Sequence, residues 1–156
     1  MRSAVRLLWL GASLVFAAPS LALAEPPKDV QELVVTLKSE KVGERAAAAR
    51  ILGELGPKAK DAVPDLQAAL ADPDKEVRRS AARSLGDIGP ASKSAVPTLG
   101  KALKDADPQV RQSAAYALGR IGDPAARPFL EAAKKDTNES VKRAAKEALK
   151  TLKKKS

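Results

Sequence analysis

A period of 33 residues constrains this chain more than any other feature. Laid on one another, residues 62–94 and 95–127 agree at 17 of 33 positions, among them Ala62-Val63-Pro64 with Ala95-Val96-Pro97 and Val77-Arg78 with Val110-Arg111. The frame extends through Arg45, Arg78 and Arg111, through Leu52, Leu85 and Leu118, and through Gly56, Gly89 and Gly122, each set spaced by 33. A fourth copy follows a two-residue deletion between Gly122 and Pro128, after which Leu130, Val141 and Leu149 fall 31 residues beyond Leu99, Val110 and Leu118. Units of this kind bury their apolar faces against one another, so a stack is predicted, with repeats at approximately 29–57, 58–90, 91–122 and 123–153.

Each unit reads as two helices. In the second, Val63, Leu66, Ala69 and Leu70 form one apolar stripe at spacings of three and four, and Val77, Ala81, Leu85 and Ile88 form another. Asp61 and Ser94 are expected to cap the first helices, with Pro64 and Pro97 tolerated in their first turns. Asp74, Asp107 and Asn138 are expected to cap the second helices, and Pro108 stands at a first helical position where its missing N–H costs nothing. Gly56, Gly89 and Gly122 follow the last apolar residue and suit a left-handed stop. Gly53, Gly86 and Gly119 lie inside the helices at about 1 kcal/mol each relative to Ala, which points to close approach of a neighbouring helix. Aromatic residues are only 3% of the chain, so the layers must be thin and built from Ala, Leu, Val and Ile.

Histidine and cysteine are both absent, which removes thiol nucleophiles, disulfides, imidazole bases and Cys/His metal clusters from consideration. At the N-terminus, Arg2 and Arg6 precede an apolar stretch from Leu7 to Ala18, Pro19 and Ser20 break it, and Ala22-Leu23-Ala24 supplies small residues at the positions a signal peptidase reads. Residues 1–24 are therefore expected to be a signal peptide cleaved before Glu25, rather than a retained anchor, and residues 25–156 to act as an exported, periplasmic or secreted domain. The charge of that domain is uneven. Residues 127–156 hold ten basic and four acidic residues, whereas residues 25–126 hold sixteen and fifteen.

The run Ala62-Val63-Pro64 through Leu70, Asp72, Val77-Arg78, Ala81-Ala82, Leu85-Gly86 and Ile88-Gly89 resembles the HEAT repeats of the short bacterial type also seen in phycobilisome-lyase-like proteins. The resemblance covers residues 29–152 and implies an all-α, right-handed α-solenoid of four helix pairs, a scaffold that hosts many functions. It also implies a hydrogen-bonded ladder between repeats, made by an acidic residue in the turn and an arginine six positions later. Asp72 with Arg78 and Asp105 with Arg111 match this spacing. Ser39 with Arg45 and Asp136 with Lys142 depart from it, so the ladder is expected to weaken at both ends.

Enzymatic readings lack parts. Asp72/Asp74 and Asp105/Asp107 suggest carboxylate pairs, but one of each fits a helix cap and the other the ladder, and the remaining ligands of a calcium loop are missing. Deoxyhypusine hydroxylases are similar in architecture but need His-Glu metal ligands, and bilin lyases share the repeat but need a chromophore pocket. No catalytic residue, metal or cofactor is therefore assigned.

Positions that vary between repeats are more informative. Arg79, Arg83 and Asp87 fall on a second face of their helix, and their equivalents include Arg50, then Gln112, Tyr116 and Arg120, then Arg143. In proteins of the resembled family the second helices line the concave face, and Arg and Tyr are the residue types that anchor interfaces. Arg50, Arg79, Arg83, Gln112, Tyr116, Arg120 and Arg143 are thus the candidate partner-binding residues. The expected function is that of a monomeric adaptor for another protein. The alternatives are an accessory subunit of an enzyme or bilin-lyase-like system, and a tether to an anionic surface through the basic C-terminus, Lys146, Lys150, Lys153, Lys154 and Lys155. Nucleic acid is not expected as a partner, because the body of the chain is nearly neutral.

Overall fold

A computed structural model describes residues 29–154, which form eight α-helices in four antiparallel pairs. The first pair is α1 (Val30–Thr36) and α2 (Val42–Glu54), and the second is α3 (Val63–Ala69) and α4 (Lys75–Ile88). The third is α5 (Val96–Ala102) and α6 (Pro108–Ile121), and the fourth is α7 (Arg127–Ala133) and α8 (Glu139–Lys154). The even-numbered helices pack each on the next, and each odd-numbered helix packs on its own even partner, giving the two-layered α-solenoid expected of the repeats. The expected signal peptide and Lys155 lie outside the described residues.

The core follows the period. Leu33, Leu66, Leu99 and Leu130 from the odd helices and Leu52, Leu85 and Leu118 from the even ones are all fully buried. Each such leucine contributes on the order of 2 kcal/mol by leaving water. No strand occurs among the described residues.

The caps divide into two kinds. Asp74 Oδ1 accepts from Glu76 N at 2.8 Å, Asp107 Oδ1 from Gln109 N at 2.8 Å, and Asn138 Oδ1 from Ser140 N at 2.9 Å, as expected for the second helices. Asp61 and Ser94 do not cap. They lie inside 3₁₀ segments, Gly56–Ala62 and Gly89–Ala95, that run into α3 and α5. The chain is already helical where those helices begin, and the Val63 N–H bonds the Lys60 carbonyl, so no side chain is needed there. Gly122 ends α6 in the left-handed region at φ 73°, ψ 22°, with its N–H on Leu118 O, a conformation that disfavours any Cβ. Inside α4, a Cβ on Gly86 would stand 2.7 Å from Ala117 Cα of α6, so this glycine sets the spacing of the two helices, and Gly53 and Gly119 face the following repeat in the same way.

The ladder is present in a different register from the spacing of six. Arg78 Nε and Nη2 donate to Asp105 Oδ2 and Oδ1 of the next repeat at 2.7 and 3.0 Å. Its Nη1 donates to the backbone carbonyls of Asp72 and Pro73 in its own repeat, not to the Asp72 carboxylate. Arg45 reaches Asp72 and Arg111 reaches Asp136 identically, so Arg45 and Asp136 belong to the ladder, and it does not weaken at either end of the stack. Four repeats have three interfaces, and all three are bridged. Ser39 and Lys142 depart from the pattern because they are the outer halves of rungs with no neighbour. Each aspartate also accepts from the backbone N–H two residues on, which locks the turn before the second helix.

Candidate functional site

The even-numbered helices place their unrepeated residues on one face, around a groove of about 740 Å³. Arg50 enters it from α2, Arg79 and Arg83 from α4, and Gln112 and Tyr116 from α6, so five of the seven predicted partner-binding residues meet there. The other two do not line it. The floor between α4 and α6 ends at Tyr116, one helical turn before Arg120. Arg143 instead lines a separate trough between α7 and α8, with Lys134, Lys146 and Lys150.

Tyr116 is the organising side chain. It is half-buried, its hydroxyl donates to Asp87 Oδ1 at 2.9 Å, and the Arg83 guanidinium carbon lies 5.2 Å from its ring centroid. Arg83 Nε is also 3.7 Å from Asp87 Oδ2. Burial first, and then the hydrogen bond to Asp87, pushes the Tyr116 hydroxyl above the ordinary phenol range, so it stays a donor through neutral pH. A ring and a carboxylate are thus held together across two adjacent helices, with an exposed guanidinium over the ring.

The flanking arginines are less constrained. Arg50 pairs with Glu54 on its own helix. Arg79 donates to Gln109 Oε1 across the repeat boundary at 2.7 Å and pairs with Glu76 at 2.5 Å. The Arg50 and Arg83 side chains are 62% and 66% exposed, so both can exchange these contacts for a ligand's with little desolvation.

Sequence reasoning missed Ser80 and Ser113, which line the groove at equivalent positions of α4 and α6. They recur in the 33-residue frame, and a search for positions that differ between repeats passes over residues that are alike. Ser84 was also missed. It is 2% exposed, donates to Ala49 O at 2.6 Å, and sits against Gly53 where the next repeats use Ala117 and Ala148. Among the described residues no group of three or more His, Cys, Asp or Glu side chains converges as a metal-ligand set, and no helix is long and apolar enough to cross a membrane. The groove offers guanidinium groups, amides, hydroxyls and an aromatic face, a set suited to recognition of a polar surface.

Comparison with known proteins matches the family described as HEAT repeats to residues 30–95 and 91–150. No curated protein matches the chain in sequence. Among solved structures, an engineered protein is 28% identical with a TM-score of 0.68, covering 81% of this chain and 63% of its own. Human deoxyhypusine hydroxylase in complex with glycerol is 29% identical with a TM-score of 0.69, covering 82% of this chain and 44% of its own. The complex of CpcE and CpcF of phycocyanin lyase from Nostoc sp. PCC7120 is 24% identical with a TM-score of 0.63, covering 85% and 68%, a likeness of fold. The chain thus spans less than two thirds of the first two of these structures.

Proposed function

Because this chain belongs to the HEAT-repeat family, whose solenoids typically serve as protein-interaction scaffolds, we propose that it is a non-enzymatic adaptor that holds a partner protein in its concave groove. The observation that carries this reading is the Arg83–Tyr116–Asp87 cluster. It is an aromatic anchor with its polar partners already in place, so a partner meeting it loses little conformational freedom on that side. The exposed guanidinium groups of Arg50 and Arg83 suit carboxylates or backbone carbonyls on the partner. The N-terminal pattern supports export, with residues 1–24 removed, and hence an extracytoplasmic partner.

The test is a pull-down from periplasmic extract with the parent chain beside a variant carrying Arg79→Ala, Arg83→Ala and Tyr116→Ala, after circular dichroism has shown equal helicity. Capture of one specific protein by the parent and its loss in the variant is the expected result. Equal capture by both would show that the groove is inert. Should the captured protein be an enzyme whose turnover rises with this chain present, the adaptor role becomes that of an accessory subunit.

A further inference from the structure

Where α2, α4 and α6 receive the next repeat, one face recurs along each helix. It runs from the ladder arginine (Arg78 in α4) to an alanine four residues on (Ala82), a glycine four beyond that (Gly86) and the positive-φ glycine after three more (Gly89). Ala49, Ala82 and Ala115 on this face are 0% exposed beneath the following repeat. The same frame, shifted by the two-residue deletion, reads Lys142, Lys146, Lys150 and Lys153 in α8. The buried alanine and the seam glycine have become Lys146 and Lys150, flanked by lysines at the ladder-arginine and helix-stop positions, and the four lie on one side of the helix over about 16 Å.

Ending a stack requires only polar residues, and either sign of charge would serve. The opposite end shows this. Ser39 stands where later repeats carry the ladder aspartate, and Glu44 where they carry the buried Val77, Val110 and Val141. At the C-terminal end all four of these positions are cationic. Glu139 and Glu147 pair with Lys142 and Lys150, while Arg143, Lys146, Lys153 and Lys154 have no acidic side chain within ion-pair distance among the described residues.

We propose that this end face docks on a lipid bilayer rich in anionic headgroups. Here α7 and α8 pack side by side, and Lys134 of α7, paired with Glu131, lines one trough with the α8 lysines and with Glu139 and Glu147. The four α8 lysines stand in a row on one side of the last helix, so an anionic surface broader than about 16 Å can meet all of them at once. No large apolar side chain is exposed here to insert: Val35 and Val42 are at the other end of the stack, and Phe129 lies over Gly100 of the preceding repeat. Attachment is therefore electrostatic and reversed by salt. The groove is a separate surface, so this docking does not depend on the adaptor reading.

The experiment is co-sedimentation of the purified full chain with phosphatidylcholine vesicles and with equal mixtures of phosphatidylcholine and phosphatidylglycerol, at low and high salt. Binding to phosphatidylcholine alone is the background, and the gain on adding phosphatidylglycerol is the signal. The variant Lys142→Gln, Lys146→Gln, Lys150→Gln, Lys153→Gln is expected to lose about fivefold in that gain per lysine at low salt, and the matching arginine variant to retain it. Equal helicity of both variants by circular dichroism separates loss of charge from loss of fold. The proposal is overturned if the glutamine variant binds as the parent does, if the arginine variant loses binding, or if phosphatidylglycerol adds nothing. Soluble polyphosphate bound as tightly as vesicles at equal phosphate would assign the face to a polymer instead. Concentration-dependent self-association abolished by the glutamine substitutions would assign it to the Glu44 end of a second copy.

Discussion

Two sets of arginine–aspartate pairs occupy this molecule, and they do different work. In the ladder, Arg78 and Asp105 meet through two parallel hydrogen bonds, with their side chains 17% and 12% exposed, and the same geometry recurs at every interface. In the groove, Arg83 and Asp87 stand 3.7 Å apart with the arginine 66% exposed; the preceding repeat has Arg50 and Glu54 at these positions, and the following one has Tyr116 and Arg120. The first arrangement is enclosed, bidentate and periodic, as a structural tie must be. The second is open, loosely held and not carried through the repeats, as suits a contact awaiting another ligand. The same two residue types acquire different roles from burial and repetition alone.

Cutting a rung gives the largest effect expected. Asp105→Ala leaves Arg78 enclosed without its carboxylate and also removes the acceptor for the Asp107 N–H. A loss of about 3 kcal/mol, read as a shift in urea midpoint, follows from stranding a mostly buried charge. Partner capture by the folded fraction should be unchanged, since no ladder aspartate lines the groove. A loss of capture at full helicity would mean that the two sets of pairs are coupled.

Closing the helix seam is next. Gly86→Ala puts a Cβ 2.7 Å from the Ala117 backbone and 3.3 Å from the Tyr116 ring, so α4 and α6 must move apart. The cost is about 2 kcal/mol by overpacking, net of up to about 1 kcal/mol gained in helix propensity, and Tyr116 should be displaced with it. Gly100→Ala is the control. Its Cβ would meet the Phe129 ring at a similar distance, but a ring 36% exposed can swing aside where a backbone cannot. Thermal unfolding should rank Gly86→Ala well below Gly100→Ala, and equal values would remove the argument that Gly86 sets the helix spacing.

These seams show how far the sequence could be read. Repeats, second-helix caps and seam glycines were legible because each depends on neighbours within a few residues or on a strict period. The ladder register was not. An aspartate and an arginine six apart are as consistent with pairing inside a repeat as between repeats, and only the fold reveals that Arg78 reaches 27 residues forward to Asp105. Asp61 and Ser94 misled for a related reason, since a cap residue is informative only where the preceding backbone is not already helical. In the groove, variation between repeats located Arg50, Arg79, Arg83, Gln112 and Tyr116. Arg120 and Arg143, chosen by the same comparison, lie outside the groove, Arg120 one turn beyond its floor and Arg143 in the trough of α7 and α8.

Acid should loosen the ladder. Hydrogen bonds from Arg45, Arg78 and Arg111 hold the Asp72, Asp105 and Asp136 carboxyls below the ordinary value of 3.8. A depressed folded pKa stabilises fully above the unfolded value and is lost as pH falls through the folded one. The melting temperature should thus hold level from pH 7 to about 5 and drop below about 4. Asp105→Asn should flatten that acid limb, and the flattening should survive high salt, since these pairs are largely shielded from solvent. A limb equally steep in the Asn variant would place the acid sensitivity elsewhere.

Breaking the groove pair should have the smallest effect on stability and a decisive one on binding. Arg83→Gln removes a cation that is mostly in solvent, 3.7 Å from its carboxylate and 5.2 Å from the Tyr116 ring. Exposed pairs of this kind move the melting temperature by no more than about 2 °C. Tyr116 keeps its hydrogen bond to Asp87, so the ring remains in place without the stacked guanidinium. Capture of the partner should fall by about tenfold or more, as for an interface anchor. If capture is intact while the ladder variant Asp105→Ala loses it, the enclosed pairs would be the ones that matter for binding. The distinction between a tie that holds the protein together and a contact left open for a ligand would then be reversed.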